Sequence, residues 1–253
     1  MTNNKKPRGT RWCLIGSWLA VIGAALVAAG LVGVQIGILP PIRAFMAYGV
    51  GAVLFLLCII VLVVGLLLSK GSGGDVSAAR SWGSLLLGLA VITASLMLIL
   101  GTASSGAPPI HDISTDLGNP PFFEAVLPMR GDDSNPPEYP GNETAEQQRA
   151  AYPDLDTLAV ENSSDEVFAA AERVAREMGW EIVATDPSRG RIEATDTTSW
   201  FRFKDDVVIR LTARGYGTYV DVRSKSRVGM GDMGVNASRI REFLERLSAD
   251  LET

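Results

Sequence analysis

The chain has 253 residues, with 23 basic and 28 acidic side chains and a formal net charge of −5. The charge is unevenly divided: residues 1–110 hold 7 basic and 1 acidic residue (+6), and residues 111–253 hold 16 basic and 27 acidic ones (−11). An acidic second half excludes a phosphate-neutralising nucleic-acid surface, and two cysteines, Cys13 and Cys58, both in apolar runs, exclude a disulfide framework.

Residues 1–12 read as a basic N-terminus. Within 13–101, three apolar runs follow, about 14–34, 45–68 and 82–100, none of which contains Asp, Glu, Lys, Arg or His. Crossing a hydrocarbon core as helix takes about 20 apolar residues, and none of these runs has the polar stripe of a globular helix. They predict three transmembrane helices, with the lipid bilayer as the first partner. The first run is too long for the apolar core of a cleaved signal peptide. Lys5, Lys6, Arg8 and Arg11 precede the first run, Lys70 and Arg80 bracket the second loop, and the first loop carries only Arg43. The positive-inside rule then puts the N-terminus and the second loop in the cytoplasm, and three crossings put the C-terminal part outside. Gly16, Ala20, Ala24 and Ala28 form a small-residue stripe. It suits close packing within the chain's own bundle or a homo-oligomer. No run carries an ionisable residue for a proton or ion path.

Residues 102–155 are dense in proline, including Pro108, Pro109, Pro120, Pro121, Pro128, Pro136, Pro137, Pro140 and Pro153. That density opposes long helices and predicts an extended, partly ordered linker from which Phe122, Phe123, Val126 and Leu127 can dock. His111 is the only histidine and lies beside Asp112 and Asp116. One histidine with nearby carboxylates does not make a metal site, and the group reads as solvated juxtamembrane polarity.

Residues 156–253 are regular. Ser163 and Glu166 have capping-box spacing, and Val167, Phe168, Ala171, Val174, Ala175 and Met178 mark one helical face up to Gly179. Alternation then predicts strands around Trp180–Ala184, Ile192–Ala194, Val207–Leu211 and Val220–Val222, joined by short turns. Ile240, Phe243, Leu244, Leu247 and Leu251 form a last amphipathic helix. The order α-β-β-β-β-α predicts an α+β domain: a four-stranded antiparallel sheet with two helices on one face. Glu193, Arg210, Asp221, Arg223 and Lys225 would make the other face charged, open to water or to a partner.

Gly229, Gly231 and Gly234 spell G-x-G-x-x-G. A dinucleotide fold needs a further parallel strand and an acidic residue about 20 positions on. Only 19 residues follow Gly234, and a helix uses most of them. The motif therefore reads as a glycine-rich turn into a helix, and no nucleotide or other cofactor is expected. The helix N-terminus retains some capacity for an anion, flanked by Arg227 and Arg239 and opposed by Asp232.

RIEATDTTSWFRFKDDVVIRL, followed by VDVRSKSRVGMGDMGVNASRI, resembles the bacterial family of domains of unknown function numbered 1499. The pattern falls on Thr195, Asp196, Trp200, Phe201, Phe203, Asp205, Asp206, Val207, Ser226, Arg227, Gly229, Asp232, Gly234 and Asn236, and HDISTDLGNPPFF is similar to the family's upstream signature. The resemblance covers roughly Ile110 to Leu247 and is to the membrane-anchored members. It implies a bacterial protein and no established activity.

Asp205, Asp206, Arg227, Asp232, Asn236 and Arg239 are the candidate site residues, expected to converge where strand ends meet the last helix. Two carboxylates beside arginines form an acid–base pair or a structural ion-pair network; without a nucleophile or a metal cluster the network is favoured. Trp200 is a further candidate, although Trp200, Phe201 and Phe203 read first as core or helix-docking residues. The resulting expectation is an inner-membrane, multi-pass envelope protein whose periplasmic domain binds or scaffolds a protein partner, a lipid or a cell-wall fragment. The rivals are an envelope hydrolase or transferase using the Asp205/Asp206 region, and an accessory subunit of a membrane complex.

Overall fold

A computed structural model describes residues 9–69, 78–103 and 106–252. Lys5, Lys6, Arg8 and Lys70, on which part of the orientation argument rests, lie outside the described residues. The chain forms two compact units, one helical and one built on a sheet.

The helical unit contains α1 (Thr10–Gln35), α2 (Pro41–Ser69) and α3 (Ala78–Ala103). Proline fits the first position of α2, where its missing N–H has no helical partner to lose. Helices α1 and α2 meet along small residues repeating every seven positions: Gly16, Gly23 and Gly30 on one, Ala44, Gly51, Cys58 and Gly65 on the other, all buried. A Cβ added at Gly23 would lie 3.1 Å from the Gly51 carbonyl oxygen, and one at Gly51 would lie 2.8 Å from that of Gly23. This backbone approach is how helices associate where lipid removes the hydrophobic drive. Gly16, Gly23 and Gly30 thus face α2, whereas Ala28 of the expected stripe is exposed. Tyr48 Oη and Ser95 Oγ, 3.0 Å apart, link α2 to α3. Outward side chains are large and apolar, for example Trp18 at 64 % and Leu67 at 61 % exposure. Among the described residues two helices, α1 and α2, are long and apolar enough to span a membrane. The expected third span is not matched, because the qualifying apolar stretch of α3, Ser81–Met97, is shorter. The helical unit also takes in Trp200–Arg202, and Phe201 meets Phe45 and Tyr48 edge to face, at 5.2 and 5.6 Å between ring centroids.

The second unit has six strands rather than the expected four. β3 (Glu181–Asp186), β4 (Arg191–Thr197), β5 (Lys204–Arg214) and β6 (Gly217–Ser226) form the predicted antiparallel meander. β1 (Asp112–Ser114) and β2 (Leu158–Val160) are added along the free edge of β6, both antiparallel. Three residues are too few to show alternation, so neither was legible. α5 (Ser164–Glu177) opens with the predicted capping box between Ser163 and Glu166. α6 is Val235–Leu251. Both helices pack on one face of the sheet, where Val167, Ala171, Val174, Ile240, Phe243 and Leu247 cover Ile192, Val207, Ile209, Val220 and Val222. Trp180 stacks on Phe243 with centroids 5.3 Å apart.

The other face was expected to be water-exposed or to meet a partner. Instead, residues 106–155, read from sequence as a linker, belong to the same unit and cover it. Besides β1 they supply a 3-10 turn at Leu127–Met129 and α4 (Asn142–Ala151). Phe123 and Val126 pack on Val208, as the docking role for this segment anticipated. Arg223 donates to the carbonyls of Pro121 and Pro137 at 3.0 and 2.9 Å, Lys225 to that of Glu138 at 2.8 Å, and Arg227 to that of Met129 at 2.7 Å. Arg191 donates to the Phe122 carbonyl. Glu193 accepts the main-chain amides of Glu124 and Val126. Proline has a carbonyl and no N–H. A proline-rich strap is therefore rich in acceptors and poor in donors, which matches a sheet face rich in Arg and Lys.

Candidate functional site

Successive residues of a strand project to opposite faces, and this separates the sequence-predicted site into two clusters. On the helix face, Arg239 of α6 donates from Nη2 to Asp205 Oδ2 at 2.7 Å and from Nε to Asp196 Oδ2 at 2.8 Å. Its Nη1 reaches Ser224 Oγ at 3.0 Å and also Asn236 Oδ1. Asn236 Nδ2 donates to Ser226 Oγ at 3.0 Å, so the end of α6 is tied to β6.

On the strap face, Asp206 accepts Arg227 Nε at 3.0 Å and Nη2 at 2.7 Å, Thr195 Oγ1 at 3.0 Å, and Arg130 Nη1. The Asp206 side chain is 0 % exposed, which makes this a desolvated pair and not a rim contact. A third buried carboxylate, Asp112, receives Arg223 in bidentate form, both contacts 2.8 Å, and Lys225 Nζ at 2.7 Å. Burial lowers the Lys225 pKa against the pull of Asp112. Burial, with Asp112 nearby, raises the Tyr139 hydroxyl to about 12. Sequence reasoning placed Arg223 and Lys225 on a charged face but missed Arg130 and the partnership with Asp112. Alternation exposes a face, whereas a contact across a non-local segment leaves no periodic trace.

Asp232 belongs to neither cluster. It lies between β6 and α6, where its carboxylate accepts the amides of Gly234 at 2.9 Å and Asn236 at 2.7 Å. The anion capacity foreseen at this helix N-terminus is therefore met by the chain's own side chain. Burial raises the Asp232 pKa, and the two amides oppose that rise. The glycine motif is a turn: Gly229 and Gly234 have φ of +95° and +83°, and a Cβ at Gly231 would approach Pro109 Cα to 3.3 Å. Trp200 is 72 % exposed and joins neither cluster. His111 Nδ1 lies 3.3 Å from the Met230 carbonyl, and no group of three or more metal-ligating side chains occurs among the described residues.

A groove of about 420 Å³ lies beside these residues, between the end of α5 and the first turns of α6. Met178, Trp180, Met233 and Val235 give it apolar walls, and Asp196 and Arg239 lie at its edge. It presents apolar side chains beside a fixed ion pair. Of the carboxylates that line it, Asp196 is paired with Arg239 and Glu242 with Arg246, and Glu177 is exposed at the end of α5.

Residues 112–247 match a protein-family model described as "Protein of unknown function (DUF1499)". No curated protein sequence matches the chain. Among solved structures, the crystal structure of CalU16 from Micromonospora echinospora is similar at 16 % identity and a TM-score of 0.27, over 38 % of this chain and 76 % of that one. A likeness at that level carries no conclusion about activity.

Proposed function

The chain belongs to the DUF1499 family, and on that premise we propose that it is a membrane-anchored binding or scaffolding module of the cell envelope. The observation that carries this reading is the separation of Asp205 from Asp206. Each is buried and held by arginine on its own face of β5, so the two cannot act together on one bond. The groove between α5 and α6 is the surface we assign to a protein partner, a lipid or a cell-wall fragment.

The anchoring rests on α1 and α2. We place the domain on the periplasmic side of the inner membrane. This rests on the basic residues at the N-terminus and second loop, and on α3 completing the passage. Helix α3 is 26 residues long, about 39 Å at 1.5 Å per residue. A phosphatase fused after residue 253, active only outside the cytoplasm, tests the orientation, and activity confined to a cytoplasmic reporter refutes it.

The binding role is tested by substitution in cells that depend on the protein. Val235→Arg in the groove is expected to leave a folded, membrane-bound protein that no longer supports growth. Asp205→Asn and Asp206→Asn are expected to lower its stability first. A normally folded Asp206→Asn protein without function would favour chemistry at that carboxylate instead.

A further inference from the structure

The loop between β6 and α6 is inverted with respect to water. From Val228 to Arg239 its charged residues are Asp232 and Arg239, and both are buried. Its exposed side chains are Met230 at 86 %, Met233 at 53 % and Val235 at 42 %, with the uncharged Ser238. The turn directs its carboxylate inward to the α6 amides and its methionines outward. Exposed apolar side chains grouped in this way mark a contact surface.

The same loop is bound to the stretch where the chain enters the domain. Asp232 N donates to the Ile110 carbonyl at 3.1 Å, Asn236 Nδ2 to that of His111 at 3.2 Å, and Gly231 lies against Pro109. Helix α3 ends at Ala103. In the sequence, five residues, 104–108, separate that helix end from Pro109.

We propose that Met230, Met233 and Val235 insert into the interfacial layer of the bilayer that holds this chain. Methionine suits that layer because its flexible, polarizable side chain conforms to irregular apolar surroundings, and no outward charge on the loop has to be desolvated. The inference rests on the membrane anchoring proposed above. It adds a second, non-helical lipid contact, and the adjoining groove shares Met233 and Val235 with it.

The test uses the full chain with Cys13→Ala and Cys58→Ala, reconstituted in phosphatidylcholine–phosphatidylglycerol vesicles. Single cysteines replace Met230, Leu89 of α3, or Tyr216, and each carries an environment-sensitive fluorophore. Tyr216 lies in the β5–β6 turn, at the other end of β6 from the loop. The label at Met230→Cys is expected to shift to the blue and to lose most of its emission to lipid bearing a doxyl group near the headgroup. The label at Tyr216→Cys should do neither. Quenching at Leu89→Cys by deeper doxyl groups, with none at Met230→Cys, overturns the loop contact while leaving the anchor intact. A blue shift at Met230→Cys without doxyl quenching means a protein covers the loop, and also overturns it. An unquenched Leu89→Cys label takes α3, the helix that precedes the domain, out of the bilayer, and overturns the proposal as well.

Discussion

Asp206 and Asp205 differ in what each leaves behind when neutralised. Asp206 is the carboxylate shared by Arg227 and Arg130, so Asp206→Asn strands buried guanidinium groups and is expected to cost on the order of 3 kcal/mol. Asp205→Asn leaves Arg239 with Asp196 and should cost less. Denaturant unfolding of the two variants gives the order directly. Two further carboxylates predict opposite pH trends. Burial pushes Asp116 up, but the Asn119 amide, Arg210 and the Gly118 amide together outweigh it and hold its pKa below the usual value. Its stabilisation is present above the unfolded pKa of about 3.9 and is lost as pH falls through the lower folded value. The deficit of Asp116→Asn should therefore be widest near neutrality and close in acid. Asp232, with its pKa raised by burial, contributes most below the unfolded value and loses that contribution as pH rises through the folded one. Asp232→Asn should gain on the parent protein with rising pH. Urea titrations at several pH values check both signs.

At the scale of elements, the seven-residue repeat of small side chains on α1 and α2 decides how the helical unit packs. The stripe four residues apart in the sequence was legible, but the heptad pairing with α2 needed the antiparallel register of two helices. Leucine at Gly23 must force the backbones apart, whereas at Gly49 a Cβ meets nothing within 4 Å. Gly23→Leu is expected to lower the thermal midpoint of the detergent-solubilised chain, and Gly49→Leu to leave it nearly unchanged. The strands show the same division. β4, β5 and β6 announce themselves by alternation over 7, 11 and 10 residues. β1 and β2 are strands because β6 offers them an edge, a property of the partner and not of their own three residues.

Over the whole molecule, the strap changes what counts as the domain. A sheet face carrying Glu193, Arg223, Lys225 and Arg227 would be stable in water, but here it is buried, and buried charge is tolerated only when paired and hydrogen-bonded. Asp112, Arg130 and the strap carbonyls provide those partners. A fragment of residues 156–253 loses all of them, together with β1. It is expected to be unfolded or aggregated by circular dichroism, while a fragment of residues 106–253 folds cooperatively. A cooperative melt from the shorter fragment would show the strap to be an accessory.

Composition and periodicity determined the apolar character of the helices, the four-strand meander, the capping box of α5 and the face of each helix. These follow from local chemistry: hydrocarbon against water, a period of two or of 3.6, a side chain reaching its own backbone. Tertiary structure alone decided that Asp205 and Asp206 serve separate clusters, that a proline-rich stretch closes the charged face, and that the glycine turn buries its acid and exposes its methionines. Each of these depends on which distant groups share a desolvated space, and a buried charge finds its partner across the fold instead of along the chain.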